Sequence, residues 1–317
     1  MRFAFTEDQR LLAGTVAESL AKACPPALVR AARTDPAVRT GEAWSALAEL
    51  GFLGAQMEDF TLLDTVLAWQ EIGRACVPGP LVETAVVAPL LLPFDSPWLP
   101  KIAEGRAVVS VKCAENPYLL DADLADLLLL PELAEDVALT EHKSVDATRR
   151  LFSAEWATAP AGAAADHAAV AVAAQLLGLS RWLIGTSVAY AGQRKQFGKV
   201  IGSFQALKHQ LANVAIKVEF ATPVVHRAAY SLTHGLPTAS RDASAAKVAA
   251  GGAAGLAART ALQVHGGIGY TDELDLFLWL SRVWALRAAW GDERWHRARL
   301  RAALLDGELL DGAVRLP

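Results

Sequence analysis

The sequence predicts a mainly α chain of three consecutive domains: helical over residues 1–92, small and strand-containing over 93–157, and a helical bundle over 158–317. From Thr6 to about Leu92, apolar residues recur at three- and four-residue intervals, the spacing of one helix face. Between Pro93 and Ala157 the texture changes to short β-like runs. Beyond Ala165 the helical period returns in segments long enough to pack as a bundle.

In the first domain Pro25-Pro26, Pro36 and Pro78-Gly79-Pro80 separate the helices, because proline removes a backbone donor and clashes with the preceding turn. The chain opens on a charged amphipathic segment and not on a basic region followed by an apolar core, so no secretory leader is expected. Cys24, Cys76 and Cys113 are widely spaced and have no second ligand nearby. Neither a disulfide framework nor a zinc site follows from them, no metal is assigned, and a reducing cytoplasm is the expected location.

In the middle domain VVSVKC (Val108–Cys113) and DLLLLP (Asp126–Pro131) are strand-like runs bounded by Gly, Pro and Asp. The small residues of ATAPAGAAA (Ala157–Ala165) lead into the last domain. There, helical patterns run to Gly202, from Phe204 to His234, from Ser240 to Val264 and from Leu274 to Leu310, with Gly251-Gly252 and Gly291 as expected interruptions. The most apolar stretch, Ala168–Gly185, is broken by Gln175 and Ser180-Arg181, which predicts a buried bundle helix and no membrane partner. The formal charge of −4 and the absence of a basic block exclude nucleic acid as the expected partner. The arginines near the C-terminus alternate with apolar residues as on the solvated face of an amphipathic helix.

Two segments carry chemistry. YAGQRKQFGKVIGSFQALKHQLA (Tyr190–Ala212) places aromatic, cationic, amide and glycine residues where a plain amphipathic helix needs none. Arg194 offers a guanidinium for a pyrophosphate, Gln196 and Gln205 donate and accept at the edges of a ligand, and Phe197 offers a flat apolar face. Gly198 and Gly202 break the helical run. QVHGGIGY (Gln263–Tyr270) follows an Ala-rich helix and lets the backbone approach a ligand at Gly266 and Gly267. A Gly-Gly pair after a helix also serves as an ordinary cap and turn, and no strand precedes this one, so a dinucleotide-binding Gly-rich fingerprint fails on context.

In order and spacing, Tyr190, Ala191, Arg194, Gln196, Phe197, Gly198, Ile201, Gly202, Phe204, Gln205, Lys208, His209, Leu211 and Ala212, followed by Gln263, Gly266, Gly267, Gly269 and Tyr270, resemble the flavin-dependent acyl-CoA dehydrogenase family. FTEDQRLL (Phe5–Leu12), WSALAELGFLG (Trp44–Gly54) and EIGRACVPGPL (Glu71–Leu81) resemble its opening helical domain. The resemblance implies a helical N-terminal domain, a middle β domain and a C-terminal four-helix bundle that mediates oligomerisation. It also implies FAD lying across a subunit interface. Carried over by position, Arg194, Gln196, Phe197 and Gln205 form one half of that site, and Gln263, Gly266, Gly267 and Tyr270 the other, expected from a different subunit.

The chain departs from the family in three places. The middle domain is short and lacks the Thr-Glu-Pro and Trp-x-Thr segments that face the flavin ring; WATA (Trp156–Ala159) stands at its very end and reads as a linker. The family's usual catalytic glutamate falls at Gly291, with Arg282 as anchor, and its alternative location falls near Ala168. Of a substrate-contacting Asp-x-x-Arg pattern, Asp166 persists while the arginine has become Ala169. Asp292 is the candidate substitute base, with Glu293 beside it, although acids there equally suit the start of a helix. Glu273 and Asp275 read as solvated or paired, and His209 and His265 as packed or supporting groups.

The expected function is therefore a subunit of a heteromeric, α2β2 acyl-CoA dehydrogenase that removes the α-proton and β-hydride of an acyl-CoA thioester. The resemblance implies a complete acyl-CoA dehydrogenase subunit as partner, supplying the base, and an electron-transferring flavoprotein as acceptor. The arrangement resembles actinobacterial-type members of the family that pair a shortened chain with a complete one and act on CoA esters of steroid side chains, which implies such an ester as a substrate. Two alternatives stay open: a self-sufficient homo-oligomer using Asp292 or Glu293, and a flavin-free structural partner.

Overall fold

The computed structural model describes residues 4–58, 60–129, 137–155 and 159–305. Helical order begins at α1 (Glu7–Ala23), where the Thr6 hydroxyl accepts from the Gln9 N–H at 3.2 Å and the Gln9 amide oxygen accepts from the Thr6 N–H at 2.9 Å. This reciprocal box satisfies two donors that a helix start leaves orphaned. Pro25-Pro26 divides α1 from α2 (Pro26–Ala31); α3 (Glu42–Glu49) and α4 (Leu62–Arg74) follow, the last capped by Thr61 and Asp64 in the same way. A π-helical turn at Glu83–Val87 passes into α5 (Ala88–Leu91), and α6 (Trp98–Ala103) lies within the span read as strand-bearing.

The strands are short: β1 (Val109–Val111), β2 (Leu119–Leu120), β3 (Leu127–Leu129), β4 (Leu139–His142) and β5 (Leu151–Ala154). β1 pairs with β3 in parallel, and β2, β5 and β4 form an antiparallel sheet in that order over a small core of Leu119, Ala122, Phe152 and Ala154. Both strand-like runs of the sequence hold strands; β2, β4 and β5 are too short or too polar to announce themselves. Most of WATA lies outside the described residues, as does the end of the last helical pattern beyond residue 305.

The final domain is built from α7 (Ala163–Gln193), a hairpin of β6 (Lys195–Gln196) and β7 (Lys199–Val200), α8 (Gln205–Thr233), α9 (Ala239–His265), α10 (Leu276–Ala288) and α11 (Glu293–Leu305). α7 is the apolar helix; by length and composition it could cross a membrane, but 78% of its most apolar window is buried inside the protein. It meets α4 backbone to backbone. A Cβ on Gly178 would lie 1.8 Å from the Gln70 carbonyl oxygen, and one on Gly73 would lie 2.1 Å from that of Gln175.

Two expectations about this domain are corrected. The first helix ends at Gln193 and not at Gly202, because the hairpin intervenes. Gly251-Gly252 interrupts nothing: α9 runs straight through, and it is Gly255 that makes room for the Arg287 side chain, which would lie 3.0 Å from a Cβ there. Gly291 does break the chain between α10 and α11.

A buried cation holds the three domains together. Arg282 of α10 donates to Asp146 at 2.6 Å and Thr148 at 2.7 Å in the loop before β5, and to the Val77 carbonyl at 2.6 Å. Burial pushes the Asp146 carboxyl up, but Arg282 and Thr148 more than offset this and leave it below the ordinary carboxylate range. Arg39 adds a second buried tie, to Asp121 at 3.1 Å at the end of β2.

Candidate functional site

At the end of α7 the chain leaves the helix at Arg194, whose N–H still reaches the Tyr190 carbonyl at 2.9 Å. The β6–β7 hairpin turns at Phe197 (φ +53°) and Gly198 (φ +76°), both left-handed, the pair of conformations that matches strand twist in a two-residue turn. Glycine adopts this region freely; phenylalanine does not. The Phe197 ring is nonetheless 91% exposed, with only an edge contact to Phe204 at 6.2 Å. Gly202 is required for packing, since its Cβ would lie 2.9 Å from the Ala191 carbonyl oxygen.

Arg194, Gln196 and Gln205 are exposed, and among the described residues no carboxylate pairs with Arg194. Lys195, Lys199, Lys208 and His209 are exposed around them or nearby in sequence, so His209 is not packed within this chain and its supporting role stays the open reading. An unpaired guanidinium beside lysines, amides and an open ring fits an anionic nucleotide and offers little to the protein's own packing.

The second segment forms a 3-10 turn at Gly266–Tyr270, entered through Gly266 at φ +63°. Gln263 and Gly267 are exposed, a Cβ at Gly267 would meet nothing within 4 Å, and Tyr270 is 76% exposed. The two segments adjoin within one chain. The Tyr190 ring stacks on His265 with centroids 4.4 Å apart, and His265 is fixed by a 2.8 Å hydrogen bond from Nδ1 to the Ala261 carbonyl. The C-terminal ends of α7 and α9 therefore lie side by side in this chain.

The turn between α10 and α11 carries the position of the expected base. Trp290 (φ +55°) and Gly291 (φ +86°) are both left-handed. A Cβ at Gly291 would lie 2.7 Å from the Trp295 ring and 2.8 Å from His296 Nε2, so the position has no space for a side chain. Four hydrogen-bonded groups pin the turn. The Trp290 indole donates to Glu83 at 3.1 Å, and Gly291 N–H donates to the Glu115 carbonyl at 3.0 Å. Lys247 donates to the Gly291 and Arg287 carbonyls at 2.9 and 3.2 Å, and His296 Nε2 bonds the Trp290 carbonyl at 2.9 Å. Burial pushes the Lys247 ammonium down to about 7 and, with nearby Lys247, the His296 imidazole down to about 3. Burial likewise raises the Glu83 carboxyl.

The neighbouring acids are engaged. Asp292 is exposed and caps α11, its Oδ1 accepting from the Trp295 N–H at 2.7 Å. Glu293 accepts from Arg297 at 2.8 Å and Arg287 at 3.3 Å, and these partners, Arg297 foremost, hold it below the usual range. Asp275 is paired with Arg30 at 2.7 Å. Asp166, in the first turn of α7, lines a pocket of about 450 Å³ with Leu232, Leu236, Trp295 and Arg299. Arg299 binds it bidentately at 2.7 and 3.3 Å and lies over the Trp295 ring at 4.7 Å. An arginine from α11 thus pairs with Asp166 where Ala169 cannot. The C-terminal arginines are therefore not all solvated, and the sequence held no local signal for a pair 133 residues apart. Trp290, Glu83 and Lys247 were missed for the same reason.

Residues 6–106 match the acyl-CoA dehydrogenase N-terminal domain family, and residues 159–305 the acyl-CoA dehydrogenase C-terminal domain family. The chain is 32% identical to the acyl-CoA dehydrogenase IpdE2 of Mycobacterium tuberculosis, over 87% of this chain and 91% of that one. Among solved structures it superposes on a chain of the ChsE4-ChsE5 complex from Mycobacterium tuberculosis with a TM-score of 0.80 at 21% identity, covering 96% of this chain and 99% of the other. It superposes on a chain of the Tcur3481-Tcur3483 steroid ACAD G363A variant with a TM-score of 0.82 at 20% identity and the same coverage. With both terminal domain families matched and a relative aligned along nearly its whole length, the chain belongs to the acyl-CoA dehydrogenase family.

Proposed function

We propose that this chain is the base-less, flavin-binding subunit of a heteromeric acyl-CoA dehydrogenase. The observation that carries the reading is the contrast between two regions: the nucleotide segments are open and unpaired, while the turn at Gly291 is closed and has no room for a carboxylate. Arg194 would hold the FAD pyrophosphate, Gln196, Gln205 and Gln263 would bond the edges of the nucleotide, Phe197 and Tyr270 would offer apolar faces, and Gly266 and Gly267 would let the backbone come close. Bound flavin supplies the hydride acceptor. A complete partner subunit supplies the β domain against the flavin ring and the carboxylate that takes the α-proton. An electron-transferring flavoprotein then reoxidises the assembly.

The names of similar proteins support a shared arrangement: one solved neighbour is a two-protein complex, and another is a steroid enzyme named for two proteins. We take an α2β2 assembly in the cytoplasm and a steroid side-chain CoA ester as substrate. Asp166 in its pocket is the substrate-side group of this chain.

Co-expression with a complete acyl-CoA dehydrogenase subunit, followed by size exclusion with absorbance, tests this. The expected result is a yellow mixed complex that turns over acyl-CoA, with no turnover from this chain alone. Full turnover by the isolated chain, abolished by Asp292→Asn, would assign the base to Asp292 instead. A colourless active complex would make the chain a structural partner.

A further inference from the structure

The turn at Gly266–Tyr270 is held on its two sides by different means. Its entry is set within the bundle, where His265 bonds the Ala261 carbonyl and stacks on Tyr190. Its exit runs through the non-helical residues 271–275 into α10. Thr271 folds this loop back on the turn, its hydroxyl donating to the Ile268 carbonyl at 2.9 Å. Among the described residues, the polar ties from the loop to a distant part of the chain come from two arginines of the first helical domain. Arg30 of α2 donates from Nε and Nη2 to Asp275 Oδ1 at 3.1 and 2.7 Å, and Arg33, just past α2, pairs with Asp272 at 3.6 Å. Both guanidinium groups also lie over the Phe277 ring in the first turn of α10, at 5.3 and 4.6 Å from its centroid. α2 is itself fixed: Val29 is fully buried, and the Ala32 carbonyl at its end accepts from the buried Arg39 at 3.1 Å. Half-exposed ion pairs contribute little to folding one by one. Two of them converging on one loop and one ring set a geometry.

We infer that Arg30 and Arg33 are positioning residues for the nucleotide: from the first helical domain they brace the exit of the Gly266–Tyr270 turn, so that its open backbone and Tyr270 stand ready for the ligand. The inference rests on the proposed function and deepens it, since it makes a domain outside the two nucleotide segments part of what sets flavin affinity. Without the brace, the loop and the turn behind it are ordered only when the ligand arrives. The entropy of that ordering is then subtracted from binding.

The test is FAD titration, followed by fluorescence quenching, of the co-expressed complex stripped of its flavin. Arg30→Met with Arg33→Met is expected to weaken FAD binding roughly tenfold, and Asp272→Asn with Asp275→Asn to weaken it by a similar factor. The second pair separates a brace from a field, because deleting two negative charges near an anionic ligand would tighten its binding if electrostatics alone acted. Hydrogen exchange in the flavin-free complex adds a readout that a general loss of stability would not reproduce. Amides of residues 266–275 should exchange faster in both variants, while α9 up to Ala261 keeps its rates. The Arg30 and Arg33 side chains are 36% and 30% exposed, so the arginine variant is expected to fold; Arg33→Met alone carries the same test at smaller size. Unchanged FAD affinity in the arginine variant overturns the brace. So does tighter binding in the aspartate variant, or exchange that quickens throughout the chain. An unmodified complex that binds no FAD sinks the nucleotide reading itself; exchange on this chain alone then decides the brace, and unchanged rates over residues 266–275 in the arginine variant overturn it.

Discussion

Phe197 occupies a backbone conformation better suited to asparagine or glycine, yet its ring packs against almost nothing in the chain. Strain kept for an exposed ring is explained by a ligand or partner that covers it. Asparagine tolerates φ near +53°, so Phe197→Asn keeps the turn and deletes only the ring. Flavin fluorescence quenching by the apo complex should show about tenfold weaker binding, ~1.4 kcal/mol, with an unchanged melting temperature; equal affinity would remove Phe197 from the site. Lys247 makes a second prediction. Its folded value of about 7 lies below the 10.5 of a free lysine, so between them the unfolded chain binds more protons and stability rises with pH. His226 and His296, pushed down to about 4 and about 3, complete their own contributions below neutrality, while the buried cysteines oppose the trend only above 9. From about pH 7 to 9 the unfolding free energy should therefore climb, at a limiting slope of ~1.4 kcal/mol per unit. In Lys247→Met urea titrations should lose that climb.

Glycine means different things in different elements. At Gly178 and Gly73 it allows α4 and α7 to touch, and Gly178→Ala drives a methyl into the Gln70 carbonyl. Chemical denaturation should register a loss of roughly 1–3 kcal/mol, typical of forced overpacking, or more if the crossing cannot shift. At Gly185, on the same helix, a Cβ meets nothing within 4 Å. Gly185→Ala should instead stabilise the isolated chain by about 0.5–1 kcal/mol through helix propensity. Equal effects at the two positions would refute the backbone contact. The reading of Gly251-Gly252 as a break failed because both lie inside α9, and the nearby glycine that matters for packing is Gly255, against which the Arg287 side chain arrives from α10.

Across the whole molecule, Arg282 connects the first helical domain, the small β domain and the bundle. Arg282→Met leaves Asp146 buried without its counter-charge and should cost about 3–5 kcal/mol, read as a lower urea midpoint, whereas replacing both with apolar residues should cost much less. α8 leaves Ile216 and Phe220 exposed.

The sequence by itself determined the helical frame and the strand runs at Val109–Val111 and Leu127–Leu129, and displayed the two segments proposed to hold a nucleotide, because periodicity, proline punctuation and motif spacing are local properties. By resemblance it also pointed to Gly291 as the position expected to carry the family's base. Only the tertiary structure decided that the two nucleotide segments adjoin in one chain through Tyr190 and His265, that Arg299 replaces a lost arginine beside Asp166, and that Trp290 closes the turn. Each of these joins residues far apart in the chain, and such contacts are fixed by packing and by the pairing of buried polar groups, which no local pattern records.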